Sequence, residues 1–267
     1  MTTCTIGNRT MAYRRVGSGP PLLVLNGFAA TKDDWDLTFL AHLASEHELV
    51  LLDNRGTGES ADDRDRFTIQ DLAEDAAGVI AALDLGRPAV LGWSMGGFVA
   101  LALALVHADL VAKLVLLSTS GGGELATLAD ERVRERLRDL SGTPREQASR
   151  LISLLFPPER AQQIDAEFGD VVAAARAALS ADIVDRQWEA MEAWERGDLG
   201  LNVHGISCPA LIATGADDIV IPPANALALA QAIPGSWLAR FPNTGHGFMA
   251  DRPQALAQLI ATFLSAD

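Results

Sequence analysis

Cysteine is scarce. Cys4 and Cys208 are the two in 267 residues, and they lie far apart. They match no metal-ligand spacing and suggest no disulfide framework, so a reducing cytoplasm is the expected setting. Long uncharged apolar runs are lacking as well. No stretch reaches the roughly 18 residues that a membrane-spanning helix needs. The opening segment, MTTCTIGNRTMAYRR, has no apolar stretch of the signal-peptide kind. Positive charge is in deficit, with 21 Lys and Arg against 35 Asp and Glu and a formal net charge of −14. That surface disfavours nucleic acids and anionic membranes as partners. A small-molecule substrate stays open, because a pocket can differ from the global field, and the composition leaves the oligomeric state open too. Internal repeats and low-complexity segments are absent.

What is present is a large apolar fraction, 49%, with an ordinary 21% of charged residues. The length allows one large domain, or one domain with an insertion. Short β-like runs alternate with helical ones. Thr10 to Arg15, Leu22 to Asn26, Glu48 to Asp53, the AVLG run before Trp93, and Lys113 to Ser118 read as strands. Between them, Asp33 to Ser45, Thr68 to Leu83 and Met95 to His107 read as helices, the second with Leu72, Ala76, Val79, Ile80 and Leu83 on one face. Strand and helix in alternation imply crossovers and a mostly parallel sheet flanked by helices, an α/β fold. The strands are apolar throughout, as strands buried on both faces must be.

The alternation breaks at Ser118-Thr-Ser-Gly-Gly-Gly123. From Glu124 to about Gly197 only helical patterns occur, among them a helix opening at Thr143-Pro144-Arg145-Glu146 with a capping box. Alternation returns with the strand Pro209 to Gly215, the helix Ala224 to Ile233, the strand Ser236 to Phe241 and the helix Gln254 to Leu264. The expected organisation is a core of residues 1–120 and 205–267 interrupted by an all-helical cap, residues 121–204.

Within VLGWSMGGFVA, Ser94 sits where a strand ends and a helix begins. A serine on so sharp a turn takes a strained backbone and lifts its hydroxyl above the sheet edge. Residues two before and two after then crowd together, which suits Gly92 and Gly96, while Gly97 lets the helix lie close on its strand. The helix N-terminus also aims free N–H groups at whatever the hydroxyl attacks. Such a turn could serve packing alone, so partners must decide. Of the five histidines, His246 is set apart: it lies in Pro242-Asn-Thr-Gly-His-Gly-Phe248, a loop leaving the last strand. An acid is needed to hold its tautomer. Asp217 and Asp218 follow the strand that ends at Gly215, after Ser94 and before His246 in the chain. An oxyanion needs two donors. The N–H of Met95 and, from the loop Asn26-Gly-Phe-Ala-Ala30, that of Phe28 are the candidates.

With these pieces assembled, LLVLNGF, DNRGTGES, GWSMGG, CPALIATGADDIVIP and NTGHGF together resemble the α/β-hydrolase superfamily over nearly the whole chain. The resemblance implies a Ser-His-Asp triad, no metal, no organic cofactor, and hydrolysis of small carboxylic esters or lactones through an acyl-enzyme on Ser94. In the family pattern G-x-x-D-x-x-V-P the acid is the third residue after Gly, which favours Asp218 over Asp217. Many members carry His-Gly where this chain has Asn26-Gly27. Narrower resemblances diverge among 3-oxoadipate enol-lactonases, meta-cleavage C–C hydrolases and cofactor-free haloperoxidases or perhydrolases. A small-molecule receptor or inactive scaffold on the same fold is the reading from another class. In the cap, Trp188 and Trp194 with Met191 either pack the lid onto itself or the domain, or wall an apolar pocket over Ser94. Arg55 is expected to tie loops together.

Overall fold

The computed structural model describes residues 2–266. Eight strands form one sheet: β1 (Thr3–Ile6), β2 (Arg9–Val16), β3 (Pro21–Leu25), β4 (Glu48–Leu52), β5 (Ala89–Trp93), β6 (Leu114–Leu117), β7 (Ala210–Gly215) and β8 (Trp237–Phe241). Their spatial order is β1-β2-β4-β3-β5-β6-β7-β8. The pairs β1/β2 and β2/β4 are antiparallel, and every pair from β4 to β8 is parallel. β1 is not apparent in the sequence pattern. It is a short, half-exposed edge strand whose pairing with β2 gives it its shape.

Helices cover both faces. On one side α1 (Leu37–Ala44), the short α9 (Phe248–Asp251) and α10 (Pro253–Ser265) enclose a core of Val24, Phe39, Leu51, Phe248 and Phe263. On the other, α2 (Ile69–Ala82), α3 (Met95–Val106) and α8 (Ala224–Ala232) enclose Leu23, Val79, Phe98, Leu103 and Leu229. The helix starting near Asp33 begins later, at Leu37, with Asp36 as its cap accepting from Phe39 N–H. Residues 31–35 are held out of it because Lys32 is bound to Asp53 and Asp34 accepts from the Thr31 N–H at 2.7 Å.

Between β6 and β7 the chain makes four helices, α4 (Glu131–Arg138), α5 (Pro144–Leu155), α6 (Pro158–Ala177) and α7 (Ala181–Arg196). The Thr143 capping box is formed with Glu146, and Pro144 occupies the first turn of α5. Phe156-Pro157-Pro158 ends α5 and at once starts α6, since proline fits a first helical turn but cannot continue one. α7 packs inward through Ile183, Gln187, Met191 and Trp194, the last stacked on Phe98 with ring centroids 5.8 Å apart.

The strand order reverses around β3. The chain leaves β3 for β4 on one side and returns to β5 on the other. Loops leaving the carboxyl ends of β3 and β5 therefore part to opposite faces, and the crevice between them is where an open α/β sheet takes a ligand. β3 and β5 align with Leu25 opposite Gly92, which sets Asn26 and Gly27 beside Trp93 and Ser94. No helix among the described residues is long and apolar enough to cross a membrane.

Candidate active site

Ser94 caps α3 with φ 56° and ψ −121°, a left-handed backbone that a residue with a side chain enters only under constraint. The constraint is visible. Ser94 N–H donates to Leu117 O at 2.9 Å, and Ser94 O accepts from Gly97 N–H and from Thr119 Oγ1, each at 2.9 Å. A Cβ on Gly92 would enter the Gly96 carbonyl, one on Gly96 would enter Leu25 O, and one on Gly97 would enter the Thr119 side chain. The strand-to-helix turn closes this tightly only because those three side chains are missing.

Asp218 and His246 meet above the neighbouring strand ends. His246 Nδ1 lies 2.8 Å from Asp218 Oδ2, and both residues are buried. Asp218 Oδ1 accepts the N–H groups of Val220 and Ile221 at 2.9 and 2.8 Å, so the carboxylate is oriented by its own turn. Asp217 is exposed and points elsewhere, while its N–H donates to Thr244 O. The His246 ring packs on the Trp93 indole, centroids 5.3 Å apart, and Trp93 Nε1 donates to His246 O at 3.1 Å. That contact ties the histidine loop to the residue before Ser94. Ser94 Oγ and His246 Nε2 are not joined by a hydrogen bond among the described residues; such bonds commonly tighten only when substrate is bound.

Neither the Phe28 nor the Met95 N–H donates to a protein acceptor among the described residues. The loop carrying Phe28 is pinned at three points. Asn26, fully buried, donates from Nδ2 to Leu52 O at 2.6 Å and accepts from Trp35 Nε1 at 2.7 Å, so the asparagine side chain anchors the loop. Farther along, Lys32 Nζ meets Asp53 at 2.8 Å and Glu59 at 3.0 Å. Burial alone would push this ammonium down, but its carboxylate partners outweigh that and hold it above the ordinary lysine range. The third pin comes from α7: Gln187 Oε1 accepts the Ala29 N–H at 2.8 Å across 158 residues of sequence. Ala29 itself has φ 52°.

Gln187 is the site residue that sequence pattern misses. It is wholly buried, and its Nε2 has no hydrogen-bond partner among the described residues. Nothing in its neighbours, Arg186 and Trp188, marks it as polar lining. Trp188 stands edge-on to Phe28, centroids 5.6 Å apart, with Arg134 and Arg138 over its ring. Met191 is buried in the core with Met95 and Trp194. Trp194 donates from Nε1 to Ser120 O at 3.1 Å. Arg55 ties its own loop to α2 rather than one loop to another, donating to Asp75 at 2.6 Å and to Asp71 O at 2.9 Å. Among the described residues no cluster of three or more His, Cys, Asp or Glu side chains is arranged to hold a metal ion.

A sheet reversing at β3, a strained serine at the crevice and a buried His–Asp pair beside it define a hydrolase of the α/β type. Residues 20–253 match the α/β hydrolase fold family, and the chain belongs to it. BpoC of Mycobacterium tuberculosis, provisionally named a non-heme bromoperoxidase, is 28% identical over 96% of this chain and 98% of its own. RutD of a Caulobacter species, provisionally named a carbamate hydrolase, is 28% identical over 96% of each chain. The solved structure of a thermophilic esterase from Thermogutta terrifontis is 27% identical and superposes with a TM-score of 0.77, covering 98% of this chain and 97% of that one.

Proposed function

We propose that this hydrolase cleaves small carboxylic esters or lactones through an acyl-enzyme on Ser94. The observation that carries the reading is the pairing of Ser94's left-handed backbone at the start of α3 with a buried Asp218–His246 pair on adjoining loops. In this mechanism Asp218 holds the Nδ1–H tautomer of His246, leaving Nε2 free to take the Ser94 proton. Ser94 Oγ attacks the carbonyl carbon, and the N–H groups of Met95 and Phe28 receive the oxyanion, each worth a few kcal/mol in the transition state. The His246 imidazolium returns its proton to the leaving oxygen. Water, deprotonated by the same histidine, then releases the acid and regenerates Ser94. No metal or organic cofactor enters any step, and no nucleic acid or membrane partner is called for.

Residues 121–204 act as a cap in this reading. Gln187 connects cap to chemistry, because its grip on Ala29 steadies the neighbouring Phe28 N–H. Trp188 forms the apolar wall beside Phe28, with Met191 backing it. A fluorophosphonate should label Ser94, and p-nitrophenyl acetate should turn over and cease to do so in Ser94→Ala. Peptide mapping that puts the label on Ser118 or Ser120 would overturn the assignment.

The 28% likeness to BpoC motivates a second reading, in which peroxide intercepts the same acyl-enzyme. Peroxide would attack the acyl carbon, releasing a peracid and free Ser94, and the peracid would oxidise bromide. Monochlorodimedone bromination in acetate and hydrogen peroxide tests it. C–C bond hydrolysis would show as cleavage of a vinylogous diketone. Binding without turnover would mark a receptor or scaffold.

A further inference from the structure

Four side-chain amides are buried among the described residues: Asn26, Asn54, Gln187 and Asn225. Asn26 and Asn225 use both ends of the amide. Asn26 donates to Leu52 O and accepts from Trp35 Nε1, and Asn225 donates to Thr127 O and Pro222 O while accepting the Thr127 N–H. Gln187 uses one end. Its Oε1 takes the Ala29 N–H, and its Nε2, a donor, has no acceptor among the described residues. Turning the amide over gives no relief, because Nε2 would then face the Ala29 N–H, donor against donor. Asn54 Nδ2 is unpaired as well, but no hydrogen bond fixes that side chain at the site.

Packing and hydrogen bonds fix where the free nitrogen of Gln187 lies. A Cβ on Gly27 would stand 3.4 Å from Ser94 Cβ, so the loop backbone reaches the serine there, and Phe28 and Ala29 follow directly. Gln187 Oε1 is 2.8 Å from Ala29 N. The oxygen and nitrogen of one amide are about 2.2 Å apart, which puts Nε2 within roughly 5 Å of Ala29 N. The next residue of α7, Trp188, stands edge-on to Phe28 at 5.6 Å, and its Nε1 is likewise buried without an acceptor among the described residues. Two consecutive residues of one cap helix therefore rest on the loop that carries the Phe28 N–H, and each keeps a donor unused. Ser94 and His246 are 4% and 2% exposed, so the serine is covered in the same state that covers Nε2. A substrate admitted to one is admitted beside the other.

A buried N–H without an acceptor costs stability, and folded proteins hold few of them. We infer that Gln187 Nε2 is a substrate-recognition donor, and that the preferred substrate carries a second acceptor oxygen, ether or carbonyl, close to its scissile carbonyl. The inference rests on the acyl-transfer reading above. It separates the two ends of one side chain. Oε1 holds the loop for every substrate, whereas Nε2 acts only on a substrate that has the extra oxygen.

The test uses pairs of esters that differ by one oxygen. 4-Nitrophenyl methoxyacetate against the butanoate, and 4-nitrophenyl 3-methoxypropanoate against the pentanoate, place it on the acyl side. 2-Methoxyethyl acetate against butyl acetate places it on the alcohol side. For each pair the ratio of kcat/KM is divided by the ratio of hydroxide-catalysed rates, which removes the effect of the added oxygen on the carbonyl itself. In wild type the corrected ratio should reach on the order of 5- to 100-fold in at least one pair, the value of giving a buried donor its partner. Gln187→Leu should bring it to within about twofold of unity, and the general loss of kcat from the released loop cancels in the ratio. Gln187→Met, closer in length, takes its place if the leucine variant does not fold. Corrected ratios within about twofold of unity in wild type for every pair, with the esters cleaved, overturn the inference and leave the hydrolase reading standing. A preference that survives both substitutions overturns it too, since another group then reads the oxygen. If no ester is cleaved, the acyl-transfer reading fails, and calorimetric titration with 2-methoxyethyl acetate and butyl acetate decides the rest. Tighter binding of the methoxy ester that is lost in Gln187→Leu keeps the donor site, and equal or absent binding overturns it.

Discussion

Replacing Asp218 by asparagine tests the proposed chemistry at its most constrained atom. The two carboxylate oxygens are not equivalent. Oδ1 accepts from the N–H groups of Val220 and Ile221, and Oδ2 faces His246 Nδ1 at 2.8 Å. An asparagine that keeps both backbone bonds must turn its NH2 toward Nδ1. The imidazole then carries its proton on Nε2 and cannot take one from Ser94. Flipping the amide would restore the tautomer but would aim NH2 at two buried N–H groups. Losing those acceptors costs about 1–3 kcal/mol each, so the flip costs roughly 2–6 kcal/mol. At 1.36 kcal/mol per tenfold, the flipped form accounts for about one molecule in thirty at best and one in ten thousand or fewer at worst. Loss of kcat therefore falls between about 30-fold and 10⁴-fold, the upper end being that of the same change in a Ser-His-Asp triad. Steady-state turnover of p-nitrophenyl acetate, with Tm as the folding control, measures it. Asp217→Asn should stay within a few-fold of wild type, because that side chain is exposed and the His246 Nδ1 partner is Asp218. If Asp218→Asn keeps a third of the activity, or Asp217→Asn is the impaired variant, the assigned acid is wrong.

Gln187→Leu removes the acceptor of the Ala29 N–H, and kcat should fall about tenfold as the Phe28 donor loses its alignment; an unchanged kcat would detach the cap from the oxyanion loop. Gly97→Ala drives a Cβ into Thr119, so unfolding free energy should drop by about 1–3 kcal/mol in urea titration, and no drop would mean the helix can shift at no cost. Acid stability has a defined sign: Arg186 and Arg9 hold the Asp62 and Asp63 carboxyls below the usual range, so their contribution is complete above the unfolded value near 3.9 and is lost as pH falls through the lowered folded values. Urea midpoints should decline on acidification below about pH 4, and less steeply in Asp62→Asn, which would retain the wild-type slope if the ion pair contributed nothing.

The alternation of strands and helices, the insertion after Ser118 and the glycine-bounded turn at Ser94 are legible in the chain because each depends on neighbours within a few residues. Periodicity, capping residues and glycines at a sharp turn are local physics. The position of His246 past the last strand follows from the same reading, since parallel strands deliver their carboxyl-end loops to one edge. The choice between Asp217 and Asp218 already lies outside local pattern, and a family motif favours one before the structure shows which carboxylate faces the ring. Beyond that point, local signals stop. Asn26 anchors its loop through Leu52 and Trp35, and Gln187 reaches Ala29 from α7, yet no spacing in the sequence marks either. Whether a polar side chain is satisfied depends on which distant groups the packed fold brings beside it. Only the tertiary structure decides that, because the cost of an unpaired donor or charge arises when water is excluded around it.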